Sequence, residues 1–219
     1  MTRDYAVVTT HKHEVGEIID CFEADWHRTA FSPGDHSHLI WCIGNGRQRL
    51  GQLIDESKHS LWLQNERYQD SIMIEHLVRA ARRGVEIHVM ARPPHKLKRE
   101  QMNEGVSGLR ILQDVGVKIH RLQHLKLHAK LLFANGNRAI IGSINLSPGS
   151  FDTRRELAIE VNDEHVTNRL HEIVRHDWAN SKSLDLSDEG LLKELEKSDE
   201  DAPEDLALET SKDWKGKKH

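Results

Sequence analysis

Apolar positions along this chain switch between two spacings, and the switches predict an alternation of strands and helices. Tyr5 to Thr9 is a short apolar run and predicts a strand. Val15 to His27 places Val15, Ile18, Ile19, Phe22 and Trp26 at helical spacing and predicts a helix. After the loop at Phe31-Ser32-Pro33-Gly34-Asp35, Leu39 to Ile43 reads as a buried strand, Gly44-Asn45-Gly46 breaks it, and Arg47 to Ser57 reads as a helix. Ser60 to Gln64 (strand), Ser71 to Arg83 (helix, closed by Gly84) and Val85 to Met90 (strand) form a strand-helix-strand unit. Such a unit implies parallel strands and a right-handed crossover. The unit repeats less cleanly, with a helix ending near Val115, a cap at Gly116 and a strand over Val117 to Leu122. The intervening Arg92-Pro93-Pro94 and the basic run Lys96 to Arg99 read as a surface loop. Leu125 to Ala134 and Arg138 to Ser143 are strands around Asn135-Gly136, Glu156 to Val161 is another, and Asp163 to Asn180 is a long helix. Glu189 to Lys197 reads as one more helix, and Ser198 to His219 as a disordered end.

A weak echo runs through this pattern. Tyr5 to Thr9 leads to a helix closing on Asp25-Trp26, and Glu156 to Val161 leads to a helix carrying Asp177-Trp178. Both matches are short.

Charge divides the chain in two. Residues 185–219 carry 12 acidic and 6 basic side chains, which leaves 25 basic against 23 acidic in residues 1–184. A nearly neutral body argues against a broad nucleic-acid-binding face. No apolar run approaches the roughly 20 residues that cross a bilayer, and Met1 to Thr10 lacks the pattern of a secretory signal. Two cysteines, Cys21 and Cys42, read as packed, reduced thiols. The 16 histidines include His11/His13 and His36/His38, but no metal-binding spacing, so no metal or cofactor is expected.

The densest chemistry lies at His128-Ala129-Lys130, Asn135 and Gly142-Ser143-Ile144-Asn145. Asn-Gly between alternating strands signals a two-residue type I′ hairpin. With Asn135 and Gly136 as that turn, Lys130 faces Ile141, His128 faces Ser143 and Lys126 faces Asn145. His128, Lys130, Ser143 and Asn145 then share one face of the sheet. A three-residue turn would instead pair His128 with Ile144 and scatter the set. His128 can act as nucleophile or general acid/base. Lys130 offers a point charge to phosphate oxygens, and Ser143 and Asn145 can donate to charge developing there. Glu156 could bond the far nitrogen of His128 and fix its tautomer.

The spacing of His128, Lys130, Gly142, Ser143 and Asn145 resembles the H-x-K and G-S-x-N pattern, or HKD motif, of the phospholipase D superfamily. The flanks, Leu125 to His128, Asn145 to Phe151 and Arg154 to Leu157, look like the C-terminal half of bacterial cardiolipin-synthase-like members. Phe22 to Trp26 looks like the closing helix of a preceding half. The resemblance covers roughly residues 1–180. It implies an α/β fold, with a mixed sheet flanked by helices on both faces. Residues 1–184 would form a phospholipase D-like half domain, and residues 185–219 a tail, acidic then basic and partly disordered.

The resemblance also implies a metal-free mechanism through a phosphohistidine, with two motifs sharing one site. His128 would be nucleophile or acid, Lys130 and Asn145 would bind phosphate, Ser143 would support the site, and Glu156 would orient the histidine. The family's aspartate is replaced by Asn135, which is a mild change if that residue serves the turn with Gly136. Because one motif is present, the second histidine would come from a homodimer partner or from an upstream half. The expected activity is a phospholipase D-like phosphodiesterase or phosphatidyl transferase acting on phospholipid. It would be cytoplasmic, free or peripheral to a membrane. The alternatives are a nuclease of the same superfamily, with Arg79, Arg82, Arg83 and Lys96 to Arg99 as its basic candidates, and a silent half domain that binds a phosphodiester or a partner chain.

Overall fold

A computed structural model describes residues 1–34, 37–93 and 99–193. The strands are β1 (Thr2–Arg3), β2 (Leu39–Cys42), β3 (Ser60–Gln64), β4 (Glu86–Met90), β5 (Lys118–Leu122), β6 (Lys126–Leu127), β7 (Leu131–Ala134), β8 (Arg138–Gly142), β9 (Glu156–Val161) and β10 (Ser181–Ser183). The helices are α1 (Lys12–His27), α2 (Gly46–Glu56), α3 (Ser71–Arg82), α4 (Arg99–Asp114), α5 (Pro148–Asp152) and α6 (Glu164–Ala179). Eight strands form one mixed sheet in the order β10-β5-β4-β3-β7-β8-β9-β2. Within it β3, β4 and β5 run parallel, as the crossover helices require, and the other pairs are antiparallel.

Alternation along the strands separates two cores. Leu61, Leu63, Ile87, Val89, Leu132, Ala134 and Ile140 face Leu50, Leu53, Ile54, Met73, Leu77, Leu109 and Leu112 of α2, α3 and α4. On the opposite face Leu131, Phe133, Ala139 and Ile141 take Leu170 and Val174 of α6. Further along that face, Leu39 and Trp41 take Cys21 and Ile18 of α1. Helices therefore cover both faces of a mixed sheet, as the α/β reading expected. Cys21 and Cys42 are free and buried, and burial pushes the Cys42 thiol up to about 12. Leu184 and Leu186 lie in the main core and Arg110 Nε donates to the Leu186 carbonyl at 2.7 Å, so the body extends past residue 184.

Two expectations change. Tyr5 to Thr9 is not a strand: β1 forms earlier, at Thr2–Arg3, in parallel with β6. The Leu125 to Ala134 strand is broken, because residues 128–130 leave the regular ladder between β6 and β7. The apolar stripe of α1 divides. Ile18 turns inward, but Val15, Ile19, Phe22 and Trp26 are exposed, and the Phe22 and Trp26 rings stack at 6.1 Å. The expected surface loop falls partly on residues 94–98, while Arg99 opens α4. From residue 194 onward, the expected last helix and the disordered end lie outside the described residues.

On the α6 side, rings alternate in a packed column. Trp62 stacks on His88 at 3.9 Å, His88 meets Trp178 edge-on at 4.5 Å, and Trp178 stacks on His120 at 3.8 Å. Burial, then Lys118, hold both histidines below the ordinary value of 6.5, with Glu86 opposing the shift at His88. A histidine whose folded value is depressed contributes stability that is full above its unfolded value and is lost as pH falls. Thermal midpoints should therefore drop as pH goes from about 7 to about 5. His88→Phe keeps the stacking and should flatten that slope; an unchanged slope places its cause elsewhere.

Candidate active site

The polar cluster sits where β3 ends and β7 begins. Asn65 follows β3, donating to the Ile144 carbonyl at 3.1 Å and accepting from Leu146 N at 3.4 Å. Gln69 N and Asp70 N donate to the Leu146 carbonyl at 2.8 and 3.0 Å. The loop after β3 thus holds the segment after β8 in place. Glu66 lies on that loop, and one of its oxygens, Oε2, is 3.0 Å from Lys130 Nζ and 3.9 Å from His128 Nε2. Its other oxygen takes Arg92 at 3.2 Å. Lys130 is buried and also donates to the His128 carbonyl at 2.6 Å, whereas the His128 ring is more than half exposed.

The second nitrogen of His128 is held from the N-terminus. Nδ1 hydrogen-bonds Asp4 Oδ2 at 2.8 Å. Burial works to raise the Asp4 pKa, but the His128 and Tyr5 N–H bonds outweigh it and keep the carboxyl below its usual range. The backbone fixes this contact, because His128 N donates to the Arg3 carbonyl at 3.0 Å and β1 lies in register with β6. Arg3 is in turn anchored to buried Asp177 by two 2.7 Å bonds, and Asp177 also accepts from Gln64 at 2.8 Å.

The expected set comes together in part. The hairpin has the anticipated positive φ angles, 53° at Asn135 and 75° at Gly136, but its pairing is Ala134 with Arg138. Asn137 is the extra residue. It converts the two-residue loop into a three-residue one and shifts every pair by one. Lys130 therefore lies opposite Gly142, whose N–H donates to its carbonyl at 3.2 Å, so the shared-face register is corrected. Ser143 points to β9: its Oγ accepts from Leu157 N at 3.1 Å and donates to the Leu157 carbonyl at 3.3 Å. Asn145 is buried, and its Oδ1, like the nearby Ser147 Oγ, has no partner. Such orphaned polar atoms are uncommon in native interiors and call for a ligand or another explanation. Glu156 accepts from Ser150 Oγ at 3.1 Å, and Asp4 takes the His128 nitrogen expected for it. Sequence reading missed Asp4 and Glu66, since no local spacing links either one to His128.

Gly142 has a steric reason. A Cβ there would run into the Leu157 carbonyl and the backbone of Ala158 on the adjacent strand. Asn135 serves the turn. Its Oδ1 accepts from Lys58 N at 3.1 Å and His59 N at 3.0 Å, at the opposite end of β7 from Lys130, roughly 16 Å along the strand. Asn135→Asp can keep both bonds, so stability and turnover should stay at or above the parent level. Asn135→Ala should cost about 1–2 kcal/mol in denaturation curves. A large loss in the aspartate variant would show that the side-chain amide has another task.

Two of the basic candidates for a nucleic-acid groove, Arg79 and Arg83, are engaged elsewhere. Arg79 pairs with Asp55 and Glu75, and Arg83 donates to the Ile54 and Asp55 carbonyls. Lys96 and Lys98 lie outside the described residues. Among the described residues, no group of three or more His, Cys, Asp or Glu could hold a metal ion, and no helix is long and apolar enough to cross a membrane.

A family model described as cardiolipin synthase, PLD-like domain, matches residues 50–178. Cardiolipin synthase 1 of Staphylococcus epidermidis is 26% identical over 204 residues, covering 80% of this chain and 41% of that protein. A cardiolipin synthase of Clostridium perfringens is 29% identical over 124 residues, covering 55% of this chain and 25% of its own. The chain thus spans less than half the length of these curated relatives. Among solved structures, Nuc, a phospholipase D family member from Salmonella typhimurium, superposes with a TM-score of 0.60 at 16% identity, covering 66% of this chain and 95% of that one. Phosphatidylserine synthase of Haemophilus influenzae gives 0.54 at 12% identity, covering 74% and 44%. At these identities the structural likeness speaks for the fold.

Proposed function

Because this chain belongs to the cardiolipin-synthase-like, PLD-like family, within a superfamily of phosphodiesterases and phosphatidyl transferases, we propose that it cleaves or transfers a phospholipid phosphodiester through His128. The observation that carries this reading is the single Glu66 oxygen lying between His128 Nε2 and Lys130 Nζ. Lys130 holds an anionic oxygen there, 3.9 Å from His128 Nε2, and a substrate phosphate oxygen can take that place beside the imidazole. Substrate would displace the Glu66 carboxylate, leaving Lys130 to neutralise the phosphate. Asn145 would donate to a second oxygen, while Ser143 fixes the β8–β9 junction behind it.

With its lone pair on Nε2, His128 attacks phosphorus. A P–N bond forms as the P–O bond to the departing alcohol breaks, and that oxygen takes a proton from a second histidine. Water or another alcohol, giving its proton to that second histidine, then attacks phosphorus and releases the imidazole as the P–N bond breaks. In the opposite direction of use, His128 is the proton donor. The second histidine comes from another half, either a second copy related by a two-fold axis or an upstream segment.

Assays on the full chain in EDTA separate the readings. Turnover of short-chain phosphatidylglycerol or phosphatidylcholine supports the proposal. Cleavage of single-stranded DNA alone identifies a nuclease. Turnover of neither substrate, even with a second half present, leaves a silent phosphodiester-binding domain.

A further inference from the structure

The echo between the two ends of the body is longer than the strand and helix patterns alone indicate. At one fixed offset and without a gap, Arg3, Asp4, Ala6, His13, Asp25 and Trp26 fall on Arg155, Glu156, Ala158, His165, Asp177 and Trp178. The copies also pair crosswise in space. Arg3 binds Asp177 through Nε and Nη2 at 2.7 Å each, and Arg155 binds Asp25 through the same two nitrogens at 2.9 and 2.7 Å. Each copy's arginine thus clamps the aspartate of the other.

Next to each arginine stands a carboxylate, Asp4 in one copy and Glu156 in the other. Asp4 reaches His128, in the half that contains Glu156, whereas Glu156 bonds Ser150. We propose that Asp4, outside the matched family region, is the positioning residue of His128, and that Glu156 has the corresponding place toward the histidine of another half. This rests on the reading of His128 as catalytic. An ionised carboxylate can only accept, so the Asp4 contact places a proton on Nδ1 and the lone pair on Nε2. Nε2 is the nitrogen that faces Glu66 and Lys130. The Arg3–Asp177 clamp and the β1–β6 pairing hold Asp4 at that distance. When the imidazole gains a bond to phosphorus and becomes cationic, Asp4 stabilises that charge without taking the proton.

The test is the tautomer of His128 in the nitrogen-15-labelled full chain, read from long-range proton–nitrogen couplings. The parent should show the Nδ1–H form. Asp4→Ala should lose it, Asp4→Glu should restore it, and Glu156→Gln should leave it in place. Where phospholipid is turned over, Asp4→Ala should slow turnover at least about tenfold, the lower end of what loss of a hydrogen-bonded carboxylate costs a metal-bound histidine. Its KM should be little changed. An unaltered tautomer in Asp4→Ala, or its loss in Glu156→Gln, overturns the proposal. A lost tautomer with undiminished turnover keeps Asp4 as the partner of His128 but refutes the catalytic reading of that histidine.

Discussion

His128→Ala should lower phosphodiester turnover by at least about a thousandfold while leaving the fold intact. In the proposed mechanism the imidazole forms or protonates the bond at phosphorus, and Lys130, paired with Glu66, and Ser143, bonded to Leu157, are held away from that task. The ring is 56% exposed and its two charged neighbours are carboxylates, one of them equally exposed. Its loss should therefore change stability by no more than about 0.5 kcal/mol. Lys130→Ala is a different experiment. It removes a buried ammonium and leaves Glu66 partly buried with Arg92 and the more distant His128, so it should cost stability as well as activity. Turnover retained in His128→Ala, with circular dichroism and melting unchanged, would remove the imidazole from the mechanism.

Gly142→Ala should produce the largest stability loss of any single-methyl change in the motif, about 3 kcal/mol. For a domain of this size that is a fall of roughly 6–12 °C in melting temperature. The added carbon would meet the Leu157 carbonyl and Ala158 across the β8–β9 ladder, and backbone at that position has no rotamer with which to yield. Separating the strands would also release Ser143 from Leu157 and displace Asn145, so turnover should fall with stability. Gly136→Ala provides the contrast. Gly136 has a φ of 75° but open space around it, so the penalty is conformational strain alone, about 1 kcal/mol. Equal losses in the two variants would show that the steric account of Gly142 is wrong.

What could be read in the sequence follows the range of each signal. Helical and alternating periods are local, and they located β2 to β5, α2, α3 and α6 to within a residue or two. The Asn135-Gly136 turn is local as well, and its backbone conformation was anticipated. Its register was not, because one added residue at Asn137 leaves the turn unchanged yet moves every cross-strand pair. Tyr5 to Thr9 has the composition of a strand but no ladder partner in this sheet, and composition does not report partners. The α1 spacing predicts a helix but not which of its residues are covered, since the exposed Phe22 and Trp26 are as helical in spacing as buried residues. Asp4 and Glu66 were invisible for another reason. Their contacts with His128 span 124 and 62 positions of chain, and only the β1–β6 pairing and the loop after β3 close those distances.

The central claim is covalent chemistry at an imidazole, and chemical quench during turnover of short-chain phosphatidylglycerol tests it most directly. Mass spectrometry of the quenched, digested protein should find phosphorus on a histidine nitrogen, in a bond labile to acid and stable to base. That adduct and turnover should both disappear in His128→Ala. Sustained turnover with every histidine unmodified throughout, or undiminished in His128→Ala, would contradict the account.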